Sequence, residues 1–302
     1  MQVSDLTGAQ RGHLAMLAFS ALVAGSFSLG ALAAPHVSPS ALTVLRFALA
    51  GALVGAIAAL TTGLPRTAWR APWRYGVLGA LLASYFVLMF WGLQTAAAVP
   101  TAAVFTLTPL MAAGFGWLLL GQITTRRMAL ALAIGAMGAL WVVFRGDFAA
   151  FLRLDIGRGE VIYFVGCIAH AVYAPMVRKL NRGEPAIVFT FGMMVAGFIL
   201  LVIWGWRDVL ATDWAAMPTI VWVCLIYISV AASAASFVCL QFATLRLPAA
   251  KVMAYTYLVP SWVIVWEVAL GRGAPPIIVL GGVALTVLAL ALLLKDEGQA
   301  RL

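Results

Sequence analysis

Apolar runs long enough to cross a bilayer recur along this chain, and they limit its fold more tightly than any other feature. Leu14–Ala33, Val99–Leu120 and Ile277–Leu294 are examples. A hydrocarbon core of about 30 Å needs roughly 20 helical residues. Within lipid, every backbone N–H and C=O must be satisfied inside its own span, so such a run reads as a helix. Composition supports this reading: the chain is 64% hydrophobic and 10% charged, with a mean hydropathy of +1.05. Soluble domains carry about 25% charged residues, so a soluble fold would expose apolar surface almost everywhere. The sequence describes an all-α integral membrane protein.

Ten spans are predicted, near 14–33, 40–61, 74–93, 97–120, 127–144, 160–178, 186–206, 218–243, 249–270 and 275–294. Short connectors with breaker residues separate them, among them Pro35 and Pro39, Gly63 and Pro65, Gly183 and Pro185, and Pro275-Pro276. With the N-terminus inside, 13 of the 19 Lys and Arg fall on inner connectors and 6 on the outer side. The bias of basic residues towards the cytoplasm therefore places both termini inside. The first apolar run imitates a secretory signal, with Ala31-Leu32-Ala33 as a small-residue site. Its length exceeds the usual signal core of about 7–15 residues, so it is expected to stay as the first helix. A net charge of +9 is spread singly or in pairs between spans, which suits orientation rather than nucleic-acid binding. Cys167, Cys224 and Cys239 all fall inside spans without CxxC spacing. They read as small buried residues rather than as a disulfide or metal framework, and no metal or cofactor is expected.

A weak internal repeat runs through the chain. Gln94, Pro100-Thr101-Ala102-Ala103, Pro109 and Leu120-Gly121 are echoed by Gln241, Pro248-Ala249-Ala250, Pro260 and Leu270-Gly271. The second proline lies 12 residues before the glycine in one copy and 11 in the other. Repeats over 14–145 and 157–294 would each hold five helices. Five is odd, so the second copy would enter the membrane from the opposite side, as in inverted-repeat carriers with a midplane site.

These stretches carry a resemblance. Ala96–Leu120, with Pro109 and the closing Trp117-Leu118-Leu119-Leu120-Gly121, resembles the fourth helix of the EamA group of the drug/metabolite transporter superfamily, and Ala243–Gly271 its ninth. Gly25-Ser26-Phe27 and Leu45-Arg46-Phe47 are similar to that family's first and second helices. Gln122 and Arg272 stand where the family often has an acid after the Leu-Gly pair. The resemblance implies a carrier that moves small metabolites outward, in the manner of bacterial exporters of amino acids, aromatic ones included.

Catalytic patterns such as HExxH, GxSxG and GxxxxGK[ST] are absent from the sequence, so energy is expected from a gradient and no enzyme activity is expected. Ionisable residues inside a span are costly and mark function. His170 shares a helix face with Tyr163, Cys167 and Ala174. It reads equally as a cavity-lining or coupling histidine and as a neutral one bonded to a carbonyl. Glu267 reads first as an end residue paired with Arg272, and second as a coupling acid. Arg46, between one and two turns inside the second helix, is expected to snorkel to the headgroups, with an electrostatic gate as the lesser reading. Lys251 is expected to end a cytoplasmic loop.

Pro109 and Pro260 would free the carbonyls of Phe105 and Thr256 and serve as paired hinges, or as static kinks. Aromatic and hydroxyl residues supply the expected substrate lining: Ser26, Tyr85, Trp91, Thr101, Phe105, Tyr163, His170, Ser229, Ser233 and Tyr255. Ser229, Ser233 and Ser236 form one polar stripe, suited either to substrate or to helix contact. Together these features describe a carrier in a bacterial inner membrane working by alternating access. Its substrates would be amino acids, its surroundings lipid, and its working unit a single chain. Efflux of lipophilic drugs is the alternative within the class, and a passive channel the alternative outside it.

Overall fold

A computed structural model describes residues 7–153 and 156–294. Ten helices among them are long and apolar enough to cross a membrane: α1 (Gly8–Ala33), α2 (Pro39–Thr61), α3 (Trp73–Leu93), α4 (Ala98–Leu120), α5 (Arg126–Val143), α6 (Arg158–Leu180), α7 (Ala186–Ala211), α8 (Thr219–Thr244), α9 (Ala249–Ala269) and α10 (Ile277–Leu294). The described residues contain no strand. The basic residues Lys295 and Arg301, used above for orientation, lie outside them.

Two helices outrun the expected bounds, each because a polar cap holds the extension. At the start of α1, Thr7 Oγ1 accepts from the Gln10 N–H while the Gln10 side chain accepts from the Thr7 N–H. This reciprocal capping box closes two orphan donors. At the end of α7, Asp208 accepts a hydrogen bond from the Ser40 hydroxyl of α2, which ties down a turn that composition alone reads as loop.

Three spans are interrupted. α4 breaks between Phe105 and Thr108, and α9 passes through a 3₁₀ turn at Tyr255–Leu258. Pro109 and Pro260 each sit in the first turn of the piece that follows, where a missing N–H leaves no bond unmade. The carbonyls the prolines would orphan are both satisfied. Phe105 O accepts from the Thr108 hydroxyl, and Thr256 O from the Val259 N–H. α8 carries a π turn at Val230–Ala235, a local widening that often marks a functional position.

Helix packing follows a regular scheme. α2 packs on α7, α4 on α9 and α5 on α10; α3 packs on α6 and α7, and α8 on α1 and α2. Exchanging the first five helices for the last five leaves this scheme unchanged. At the α5–α10 contact a Cβ on Gly138 would lie 2.6 Å from Gly282 O, and one on Gly282 would lie 2.6 Å from Gly138 O. Neither position tolerates a side chain without moving the backbone.

Short connectors make successive helices alternate in direction, and contacts at the two ends of the bundle agree. Arg74 at the start of α3 bonds to Leu180 O and Glu184 just past α6, and Gly12 of α1 faces Leu247 past α8. At the other end Gly92 of α3 meets Gly159 of α6, and Trp141 of α5 donates to Ile278 O of α10. The start of α1 and the end of α10 therefore share one end of the bundle.

Candidate functional site

α1, α3, α4, α6 and α8 turn aromatic side chains towards one another in the interior. Tyr85 is the hub. Its ring centroid lies 4.5 Å from His170, 4.6 Å from Phe86, 5.7 Å from Phe105 and 5.8 Å from Tyr163. Its hydroxyl is 2.8 Å from that of Tyr163. Phe27 closes the cluster from α1, 5.9 Å from both Phe105 and Tyr163. Tyr173 extends it along α6, 6.2 Å from His170, and accepts a 3.1 Å hydrogen bond from Gln241 Nε2. Aromatic pairs at such separations hold a fixed arrangement in tilted and edge-on geometries.

His170 is buried and its Nδ1 has no partner. The carbonyl-bonded histidine offered by the sequence is thus absent, and the ring stands among aromatic faces. Ser26, Ser229 and Ser236 are also buried with unpartnered hydroxyls. A buried polar group without a bond costs free energy, and these hydroxyls lie on α1 and α8, two of the helices that bound the cluster.

Arg46 departs most from expectation. It is 0% exposed and does not reach the headgroups. Nε donates to Ser233 Oγ at 2.5 Å and Nη2 to Ala232 O at 2.8 Å, both in the π turn of α8. The guanidinium carbon lies 3.5 Å from the centre of the Phe86 ring. Snorkelling fails because α2 turns this position towards α3 and α8, where a protein carbonyl and a π face replace the headgroups.

Other expected residues stand apart from the cluster. Trp91 is 46% exposed on the outer surface of α3. Thr101 is buried, but its hydroxyl bonds back to Ala97 O at 2.7 Å. The Tyr255 hydroxyl lies 3.0 Å from His13 Nδ1, towards the α1 start. Glu267 faces Arg272 at 3.5 Å near the opposite end. Lys251 lies in the first turn of α9 beside its connector, yet its side chain is buried. Phe27, Phe86, Tyr173 and Gln241 were not singled out as lining. Phe27 follows Ser26 in the Gly25-Ser26-Phe27 stretch, and Gln241 opens the second repeat copy. Two apolar recesses, of about 310 Å³ at Met137, Trp141 and Phe148 and about 200 Å³ at Ala83, Leu201 and Trp204, include no cluster residue.

The family model for EamA-like transporters matches residues 10–144 and again 157–295. An uncharacterized transporter of Bacillus subtilis (strain 168), YyaM, is 27% identical over 194 residues, which are 63% of this chain and 64% of that protein. The matched stretch thus spans just under two thirds of that relative. A crystal structure aligns with 96% of this chain and 98% of its own, with a TM-score of 0.70 and 22% identity. That likeness shows the fold.

Proposed function

The chain belongs to the EamA-like transporter family, and from that premise we propose that it exports amino acids of varied side chain, aromatic ones included. Its work is alternating access in a bacterial inner membrane, with both termini cytoplasmic. The observation that carries this reading is the buried cluster of Tyr85, Phe105, Tyr163 and His170, ringed by unpartnered hydroxyls. Aromatic faces and serine hydroxyls can bind an ammonium group and an apolar side chain together. The cluster draws on helices of both halves, and the exchange symmetry of the packing supports two inverted repeats over 14–145 and 157–294. The breaks before Pro109 and Pro260 lie at matching places in α4 and α9 and would serve as the hinges. His170 or Glu267 would carry any coupling proton.

Counterflow in proteoliposomes tests this. Vesicles loaded with unlabelled phenylalanine or threonine are expected to accumulate the external labelled amino acid saturably. Phe105→Ala is expected to slow phenylalanine exchange about tenfold, the equivalent of about 1.4 kcal/mol, in protein that remains monodisperse. Sealed vesicles that show no exchange with any amino acid would sink the substrate assignment and favour lipophilic compounds. Conduction without exchange would favour a channel.

A further inference from the structure

Arg46 is a full charge held in the bundle interior, and its surroundings do not neutralise it. Among the described residues the ion pairs are Arg74–Glu184 and Arg272–Glu267, and no carboxylate reaches Arg46. Its partners are a hydroxyl, a carbonyl and the Phe86 ring face, while Nη1 has no partner. A buried ion without a counter-charge carries a desolvation cost of several kcal/mol, and intramembrane charges commonly mark substrate or ion pathways. The adjoining stripe agrees: Ser229 and Ser236 flank Ser233 on α8, each buried with a free hydroxyl. The π turn supplies the Ala232 carbonyl that holds Nη2.

We propose that Arg46 anchors the carboxylate of the substrate. Nη1, together with Nη2 once released from Ala232 O, presents the two-donor fork that matches a carboxylate. The body of the ligand then lies past Phe86 and along Tyr85, whose ring centroid is 4.6 Å from that of Phe86, towards Phe105 and His170. A phosphate group, with a charge of about −1.5 to −2, would call for a second cation. The other fully buried arginine, Arg74, is already bound to Glu184 and to the carbonyls of Ala68, Ala71 and Leu180. A singly charged carboxylate fits Arg46, the buried arginine that has no carboxylate partner among the described residues. This assignment rests on the reading that the central cluster is the substrate site, and it adds the functional group that every substrate must carry.

Four related ligands test it: phenylalanine, phenylacetate, phenylalaninamide and phenethylamine. Thermal stabilisation of the purified full chain reads binding, and proteoliposome counterflow reads transport. The two acids are expected to stabilise the protein, while the amide and the amine do so at least about 30-fold more weakly. Arg46→Gln is expected to weaken both acids about 100-fold. Arg46→Lys is expected to weaken them roughly tenfold, since it keeps the charge and loses the fork. Equal binding of acid and amide by the unaltered protein overturns the proposal, as does no stabilisation by either acid. So does an Arg46→Gln protein that binds acids within about threefold of the original. If Arg46→Gln does not fold, the acid-against-amide comparison in the unaltered protein decides alone. Arg46-dependent binding of phenylacetate without amino-acid counterflow leaves the anchor standing and removes the amino-acid reading. Counterflow that ignores the carboxylate does the reverse.

Discussion

Replacing Glu184 with alanine is expected to cost the folded protein about 1–3 kcal/mol, the usual penalty for leaving a buried donor without its partner. Arg74 is buried and Glu184 half-buried, and Arg74 Nη2 meets Glu184 Oε1 at 2.6 Å. The same guanidinium donates to Leu180 O at 2.6 Å, to Ala71 O at 3.2 Å and to Ala68 O at 3.4 Å. It therefore joins the start of α3, the connector before it and the end of α6. Thermal unfolding in detergent is the measurement, with Arg74→Ala and the double variant completing a cycle. The double variant is expected to lose less than the sum of the singles, because each single strands a charge that the double removes. Strict additivity would show that the pair does not act as a unit.

The same pair predicts a pH dependence with a definite sign. Burial alone would raise the Glu184 carboxyl. The hydrogen bond from Arg74 and the backbone N–H of Arg182 outweigh burial and hold it below the ordinary carboxylate value. A group whose pKa is lower in the folded state contributes stability above its unfolded value and loses it as pH falls through the folded one. The protein should thus destabilise in acid, below the ordinary carboxylate range, and Glu184→Gln should flatten that part of the profile. An unchanged profile in Glu184→Gln would assign the acid sensitivity elsewhere.

Gly138→Ala is the second large effect. A single methyl here meets Gly282 O at 2.6 Å, with Leu285 Cβ at 2.9 Å. Backbone cannot step aside as a side-chain tip can, so α5 and α10 must separate. Overpacking of this kind costs about 1–3 kcal/mol, and Gly138→Val should abolish folded protein in size-exclusion profiles. Gly114→Ala is the matched control. Its added Cβ meets nothing within 4 Å, so helix propensity alone should stabilise it by roughly 0.5–1 kcal/mol. Equal behaviour of the two alanine variants would mean that α5 and α10 do not touch here.

Much of the architecture was legible because its causes are local. The prolines at 109 and 260 are sequence patterns that act within one turn of themselves. The α4 and α9 breaks follow from a missing N–H and need no partner. The shared face of Tyr163, Cys167, His170 and Ala174 follows from helical period, and all four are buried. Period alone did not say which way Trp91 points. It neighbours Phe90 and Gly92, both buried, yet is itself exposed. The extra residue of the π turn at Val230–Ala235 had no sequence mark of its own. Ser229, Ser233 and Ser236 look the same on paper whether the helix is regular or widened.

What the sequence determined by itself is the set of spans. In lipid each helix must close its own hydrogen bonds, so the number of the spans and the breaks beside Pro109 and Pro260 are written residue by residue. What only the tertiary structure decided is the environment of each polar side chain. Arg46 meets Ser233 across 187 positions of sequence, and Tyr255 meets His13 across 242. A long cationic side chain near a helix end can reach headgroups or protein with equal ease. The choice turns on which helix covers it, and that is a property of the packed bundle rather than of any stretch of chain.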